Sequence, residues 1–283
     1  MLEYSPFDEM TWYSFLRTSR TTSARLEGWN SRTHWVTRGL RRLVSEGCPG
    51  TFISSWTIAS LMKTCEPAPR VKNFLLGKRR EDLTTGKRGA AETPKGENFV
   101  NWQIARRIFS MRAPAHERCV TYELPLCATA EGQLKADLVV FNASGLVEIV
   151  ELKRSAEDGT RDNPLMALVE GICYTLQMLR CWRDLAAELT ECIKVARPPH
   201  TINIVLAAPD YWDHCHGIGK PIADDETSAL HTIVDCVSHV LQNQHDVPSP
   251  SIVLTLANVI DDRLFRCQTV PAEPPLLDSI VET

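Results

Sequence analysis

The sequence predicts an α/β fold: a mixed central β-sheet flanked by helices, preceded by a mainly helical N-terminal region. Three observations lead there. Two proline-marked helix starts, Thr93-Pro94 and Asn163-Pro164, each set a capping side chain before a proline suited to the first helical turn. Between them lie three strand-like segments, the last two joined by the turn Asn142-Ala143-Ser144-Gly145. Beyond the second helix, two apolar β-rich segments alternate with one more helix. That order requires crossovers, and so parallel pairing beside an antiparallel meander.

Taken in order, residues 1–92 read as a basic, mainly helical region and connector, and 93–283 as the α/β domain. Helical spacing is visible over Trp35–Glu46 and Thr51–Lys63, parted by Gly47-Cys48-Pro49-Gly50. Arg38, Arg41 and Arg42 suit a helix-turn-helix reader; a helical cap on the main domain suits the same pattern. Residues 66–96 read as an exposed connector, rich in charge, Gly and Pro. A helix over Pro94–Met111 follows, then strands over Cys119–Cys127, Leu134–Phe141 and Leu146–Lys153. One long helix is expected from Pro164 to Leu189. A buried-type strand at Ile202–Ala208, a helix at Glu226–Leu241 and a strand at Ser251–Val259 complete the order: helix, three strands, helix, strand, helix, strand.

Composition and charge exclude several classes. With 43% hydrophobic and 23% charged residues, the chain is neither disordered, collagenous nor a coiled coil. The N-terminus is acidic without an apolar run, unlike a signal peptide. The nearest approach to a membrane helix, Val247–Ile260, is short and broken by prolines. An intracellular location is therefore expected: cytoplasm, or nucleus in a eukaryote. The ten cysteines are scattered without a Cys-x-x-Cys pair, so reduced, hydrophobe-like cysteines are expected rather than disulfides. His214-Cys215-His216 is a zinc-like cluster lacking a second cluster at finger spacing. The net charge of −4 conceals an asymmetry. Residues 1–95 carry 16 Lys+Arg against 9 Asp+Glu, and the remainder 15 against 26. A basic part beside an acidic body suits a polyanionic partner and carboxylates that hold a metal; solvated basic helices give the same count.

The chemistry-bearing pattern is ADLVVFNASGLVEIVELK, residues 136–153. Strand alternation puts Glu151, Lys153 and Ile149 on one face and Glu148 on the other. The tight turn pairs the two strands as a hairpin, so Asp137 converges with Glu151 and Lys153. Two carboxylates can hold Mg²⁺ (or Mn²⁺), and a lysine nearby can orient the water that attacks a phosphodiester. Glu-x-Lys alone is common at the end of surface strands. Here the strand is apolar at Ile149, Val150 and Leu152, and charges buried without partners would be costly.

These residues resemble the PD-(D/E)XK, or restriction-endonuclease-like, nucleases over about residues 93–208. Alanine stands at position 136 where the family motif has proline. Many relatives of recombination exonucleases carry Gln-x-x-x-Tyr on the next helix, where this chain has Glu170 and Tyr174. The resemblance implies a restriction-endonuclease-like core acting on nucleic acid, most simply DNA. It implies Asp137, Glu151 and the Leu152 carbonyl as metal ligands, Lys153 as the catalytic lysine, and Glu97 on the first helix as a further acid. Asn101, Ile104 and Ile108 fall on the stripe of Glu97. Glu170 and Tyr174 would support the site, with Gln177 as an alternative to the missing glutamine. Glu170 adds a ligand or makes the site too negative for a phosphate, so a catalytically inactive nuclease-fold scaffold or binding module is the alternative.

Lys78, Arg79, Arg80, Lys87 and Arg88 form short basic clusters suited to phosphate contacts, or to a solvated connector. Trp12, Trp29, Trp35 and Trp56, interleaved with arginines, suit base stacking or helix packing. The segment Asp210–His216 follows a strand end, where function often sits. A homodimer is compatible with the sequence; a membrane partner is not expected.

Overall fold

A computed structural model describes residues 83, 97–111, 117–129, 132–153, 164–193, 197–209, 224–242, 248–266 and 279–282. Within them, α1 (Glu97–Ser110) precedes β1 (Arg118–Thr129), β2 (Gly132–Asn142) and β3 (Leu146–Leu152). Then come α2 (Pro164–Arg180), α3 (Trp182–Leu189), β4 (Thr201–Ala208), α4 (Asp224–Gln242), β5 (Ser251–Ile260) and β6 (Arg263–Arg266). The strands form one six-stranded sheet in sequence order. The pairs β1–β2, β2–β3 and β5–β6 are antiparallel; β3–β4 and β4–β5 are parallel. This is the mixed sheet that the element order predicts.

Register follows from the β2–β3 turn. Gly145 adopts φ 97°, where a Cβ is strained, and its N–H donates to the Asn142 carbonyl at 2.9 Å. The turn fixes Phe141 opposite Val147 and Leu138 opposite Val150. All seven residues of β3 are buried, as befits a strand covered on both faces.

Two apolar clusters divide the interior. One face packs α2, α3 and α4 against Val139, Phe141, Val147, Ile149, Ile204 and Leu206. The other packs Trp102, Ile104, Ala105 and Ile108 of α1 against Leu138, Val140, Val150, Leu152 and Val205, joined by Ile280 and Val281. Asn101 shares this buried stripe of α1 with Ile104 and Ile108. The cysteines Cys119, Cys181 and Cys192 are buried thiols. No helix among the described residues is long and apolar enough to cross a membrane.

The structure differs from the sequence expectation at three places. The helix expected over 164–189 breaks at Cys181, whose φ −93° and ψ 13° leave the α-helical region. The break turns Trp182, Leu185 and Leu189 into the core, with Trp182 6.3 Å from Phe141, centroid to centroid. Strand β6 follows a two-residue turn in which Asp261 takes φ 56°, a conformation Asp tolerates. Leu83, in the stretch expected to be an exposed connector, is buried in the α1 cluster, because that face needs apolar cover beyond its one helix.

Candidate active site

The site lies where β2 parts from β3. Their ladder ends at Leu138 and Val150, while β3 continues to Leu152 beside β4. One residue before the end of the ladder, the Asp137 carboxylate takes over the hydrogen bonding: its Oδ2 accepts from the Leu152 N–H at 3.0 Å. A side chain thus replaces a strand, and a carboxylate is held against the end of β3.

Glu151 follows Val147 and Ile149 onto the face covered by α2, and is 2% exposed. Lys153 leaves β3 with its backbone N–H donating to the Ala207 carbonyl at 2.8 Å. Its Nζ donates to Glu151 Oε1 and to Glu170 Oε2, so one buried ammonium bridges two buried carboxylates. Glu170 reaches it because α2 presses close to the sheet: a Cβ on Gly171 would lie 2.6 Å from Ile204 Cγ2. Burial, then the charge of Asp137, push the Glu151 carboxyl well above the usual range; Lys153 opposes this and Glu170 adds to it.

The structure therefore brings together Asp137, Glu151, Lys153 and Glu170. Tyr174, one turn beyond Glu170, is buried on the same helix. Gln177 is turned elsewhere: its Nε2 donates to the Leu126 carbonyl of β1 at 3.4 Å. Glu97 opens α1, which packs on the opposite face of the sheet; its side chain lies outside the described residues. So do Lys78, Arg79, Arg80, Lys87 and Arg88, the four N-terminal tryptophans, and the segment Asp210–His216 with its zinc-like cluster.

A divalent ion fits one feature of this cluster. With both carboxylates ionised, Glu151 Oε2 is buried and accepts no hydrogen bond, an arrangement that buried oxygens seldom keep without an ion, a water or a shared proton with Glu170. Among the described residues no three or more His, Cys, Asp or Glu side chains form a metal cage. Mg²⁺ does not need one, since it is commonly held through one or two carboxylates and keeps several waters.

A second buried carboxylate was not legible as a node. Glu148, fully buried on the α1 face, accepts from Asn203 Nδ2 at 3.3 Å, Ser279 Oγ at 2.6 Å and the Ile280 N–H at 2.9 Å. Thr255 Oγ1 completes the chain by donating to Asn203 Oδ1 at 2.9 Å. Asn203 inside the apolar run INIVLAA was the available signal. Comparison with family models, with curated proteins and with solved structures finds no match to this chain.

Proposed function

We propose that this protein is a metal-dependent nuclease that hydrolyses phosphodiester bonds of DNA through a restriction-endonuclease-like core. The observation that carries the reading is the meeting of Asp137, Glu151 and Lys153 where β2 leaves β3, with one Glu151 oxygen buried and without a donor. The element order around it, one helix, three antiparallel strands, the helices α2 and α3, and a parallel strand, supports that reading.

Asp137 and Glu151, with the Leu152 carbonyl, would hold Mg²⁺ or Mn²⁺. The ion supplies charge that acidifies a water and polarises phosphoryl oxygens. The chain's own groups do the rest. The Leu152 N–H fixes the Asp137 carboxylate. The Lys153 ammonium, with three donors, offsets negative charge and can orient a water beside the phosphate. Glu170 holds that ammonium from α2.

Cleavage of a panel of single- and double-stranded DNA and RNA in Mg²⁺, Mn²⁺ or EDTA tests this. The expected result is metal-dependent hydrolysis that Asp137→Asn removes. A second reading, a catalytically inactive nuclease-fold module that binds nucleic acid, is favoured by the observation that Lys153 already neutralises both Glu151 and Glu170. Binding without metal-dependent cleavage of any substrate would select it.

A further inference from the structure

One stripe of α1 runs from Trp102, packed in the sheet-facing cluster, out to the exposed Arg106 and Ser110. Trp102, Arg106 and Ser110, at helical spacing on α1, with Gln103, Arg107 and the following Met111, line an open groove of about 530 Å³ that Asp262 of the β5–β6 turn also lines. Trp102 is buried against Phe99, ring centroids 6.0 Å apart, and the Arg106 guanidinium lies 5.3 Å over the Trp102 ring. This contact fixes an exposed, long and otherwise mobile side chain. Arg107 is half-buried: Nη1 meets Asp262 Oδ1 at 3.2 Å, while Nε has no partner. Met111 is 42% exposed, one of two large apolar side chains so exposed among the described residues.

The groove's place in the fold matters as much as its lining. β3, β4 and β5 run parallel, so Lys153 after β3 and Asp262 after β5 lie at the same end of the sheet. The register sets Ala257 of β5 level with Leu152 of β3, so Asp262 stands five residues beyond that level, on the α1 side of a sheet whose other face carries Glu151.

We infer that this α1 groove holds the backbone of a polynucleotide strand, with Arg106 and Arg107 against phosphates and a base against the Arg106 guanidinium and Met111. The choice of occupant rests on the nuclease reading above. Charge supports it: the groove carries two guanidiniums against one carboxylate. A guanidinium held on an aromatic ring also offers its other side to a base, a contact that an acidic peptide does not use. Asp262 occupies part of Arg107 and so acts as a brake on binding.

The test measures binding, not turnover. A labelled single-stranded DNA is titrated with full-length protein in EDTA, at several salt concentrations, by fluorescence anisotropy. Arg106→Ala, an exposed change whose folding is checked by thermal melting, is expected to weaken binding roughly three- to tenfold and to lower the salt slope by about 1. Asp262→Asn is expected to tighten binding a few-fold by releasing Arg107. Polyglutamate is expected to compete poorly. Unchanged affinity in Arg106→Ala, absence of binding by the wild type, or competition by polyglutamate as effective as by unlabelled DNA would each overturn the groove. The nuclease reading fails separately: if wild-type protein binds through Arg106 but cleaves nothing in Mg²⁺ or Mn²⁺, the groove stands without the enzyme.

Discussion

Replacing Lys153 by methionine removes the ammonium and keeps most of the side chain's volume. Glu151 and Glu170 are 2% and 7% exposed, and both are bridged by that one group. Removing a single partner from a buried ion pair costs about 3–5 kcal/mol, because the remaining charge stays in low dielectric. The Glu151 carboxyl, already pushed up by burial and by Asp137, can take a proton instead, so the lower end applies. About 3 kcal/mol in a domain of this size lowers Tm by about 6–12 °C. A lysine expected from sequence to serve the attacking water therefore also stabilises the fold.

A divalent ion offsets most of this deficit. Binding only the native state at a hundred times its Kd, it returns about 2.7 kcal/mol. Mg²⁺ should then raise the Tm of Lys153→Met by more than that of the wild type, whose carboxylates already have a cation. Thermal melts of both proteins in EDTA and in Mg²⁺ measure this. Equal Mg²⁺ shifts in the two, or a Lys153→Met melt in EDTA within about 2 °C of wild type, would refute the reasoning.

Three shorter expectations follow from the same geometry. Burial raises the Glu148 carboxyl above its usual 4.5, so the folded state holds that proton more tightly than the unfolded one. Stability from this group is complete below pH 4.5 and is lost as pH rises through the folded value; urea unfolding across pH should show that slope in wild type and not in Glu148→Gln. Gly171→Ala should lose about 1 kcal/mol, overpacking against Ile204 outweighing the better helix propensity, visible as a lower urea midpoint at constant m. Asp137→Ala should leave the Leu152 N–H unpaired at a cost of about 1–3 kcal/mol, and should weaken Mg²⁺ binding in calorimetry by tenfold or more.

What the sequence revealed was mostly local. Asn142-Ala143-Ser144-Gly145 set the hairpin, the hairpin set the register, and period-two alternation put Glu151 and Glu148 on opposite faces; the observed β2–β3 pairing agrees. The partners of those charges were not local. Glu170 meets Lys153 because a glycine lets α2 approach β4, and Ser279 meets Glu148 across a sequence separation of 131 residues. The break at Cys181 and the short strand β6 escaped for a related reason. Each depends on packing or on one unusual backbone angle rather than on hydrophobic period.

The two glutamates of β3 form an internal comparison that separates structure from chemistry. They sit three residues apart on one fully buried strand, facing opposite ways. Glu148 meets three donors, which offset part of the burial that raises its carboxyl. Glu151 has one ammonium on Oε1, no donor on Oε2, and negative neighbours in Asp137 and Glu170. An amide at 148 has one acceptor where three donors converge, so Glu148→Gln should cost about 1–3 kcal/mol. It should leave Mg²⁺ affinity untouched, because Glu148 faces α1. An amide at 151 removes a charge from a crowded acidic cluster and leaves Lys153 with Glu170. Glu151→Gln should therefore unfold in EDTA at a denaturant concentration equal to or above that of wild type while losing Mg²⁺ binding. Paired unfolding and calorimetry of the two variants decide it. If Glu151→Gln is the more destabilised of the two, with Mg²⁺ affinity retained, then Glu151 is a structural counterion of Lys153 and the metal assignment falls.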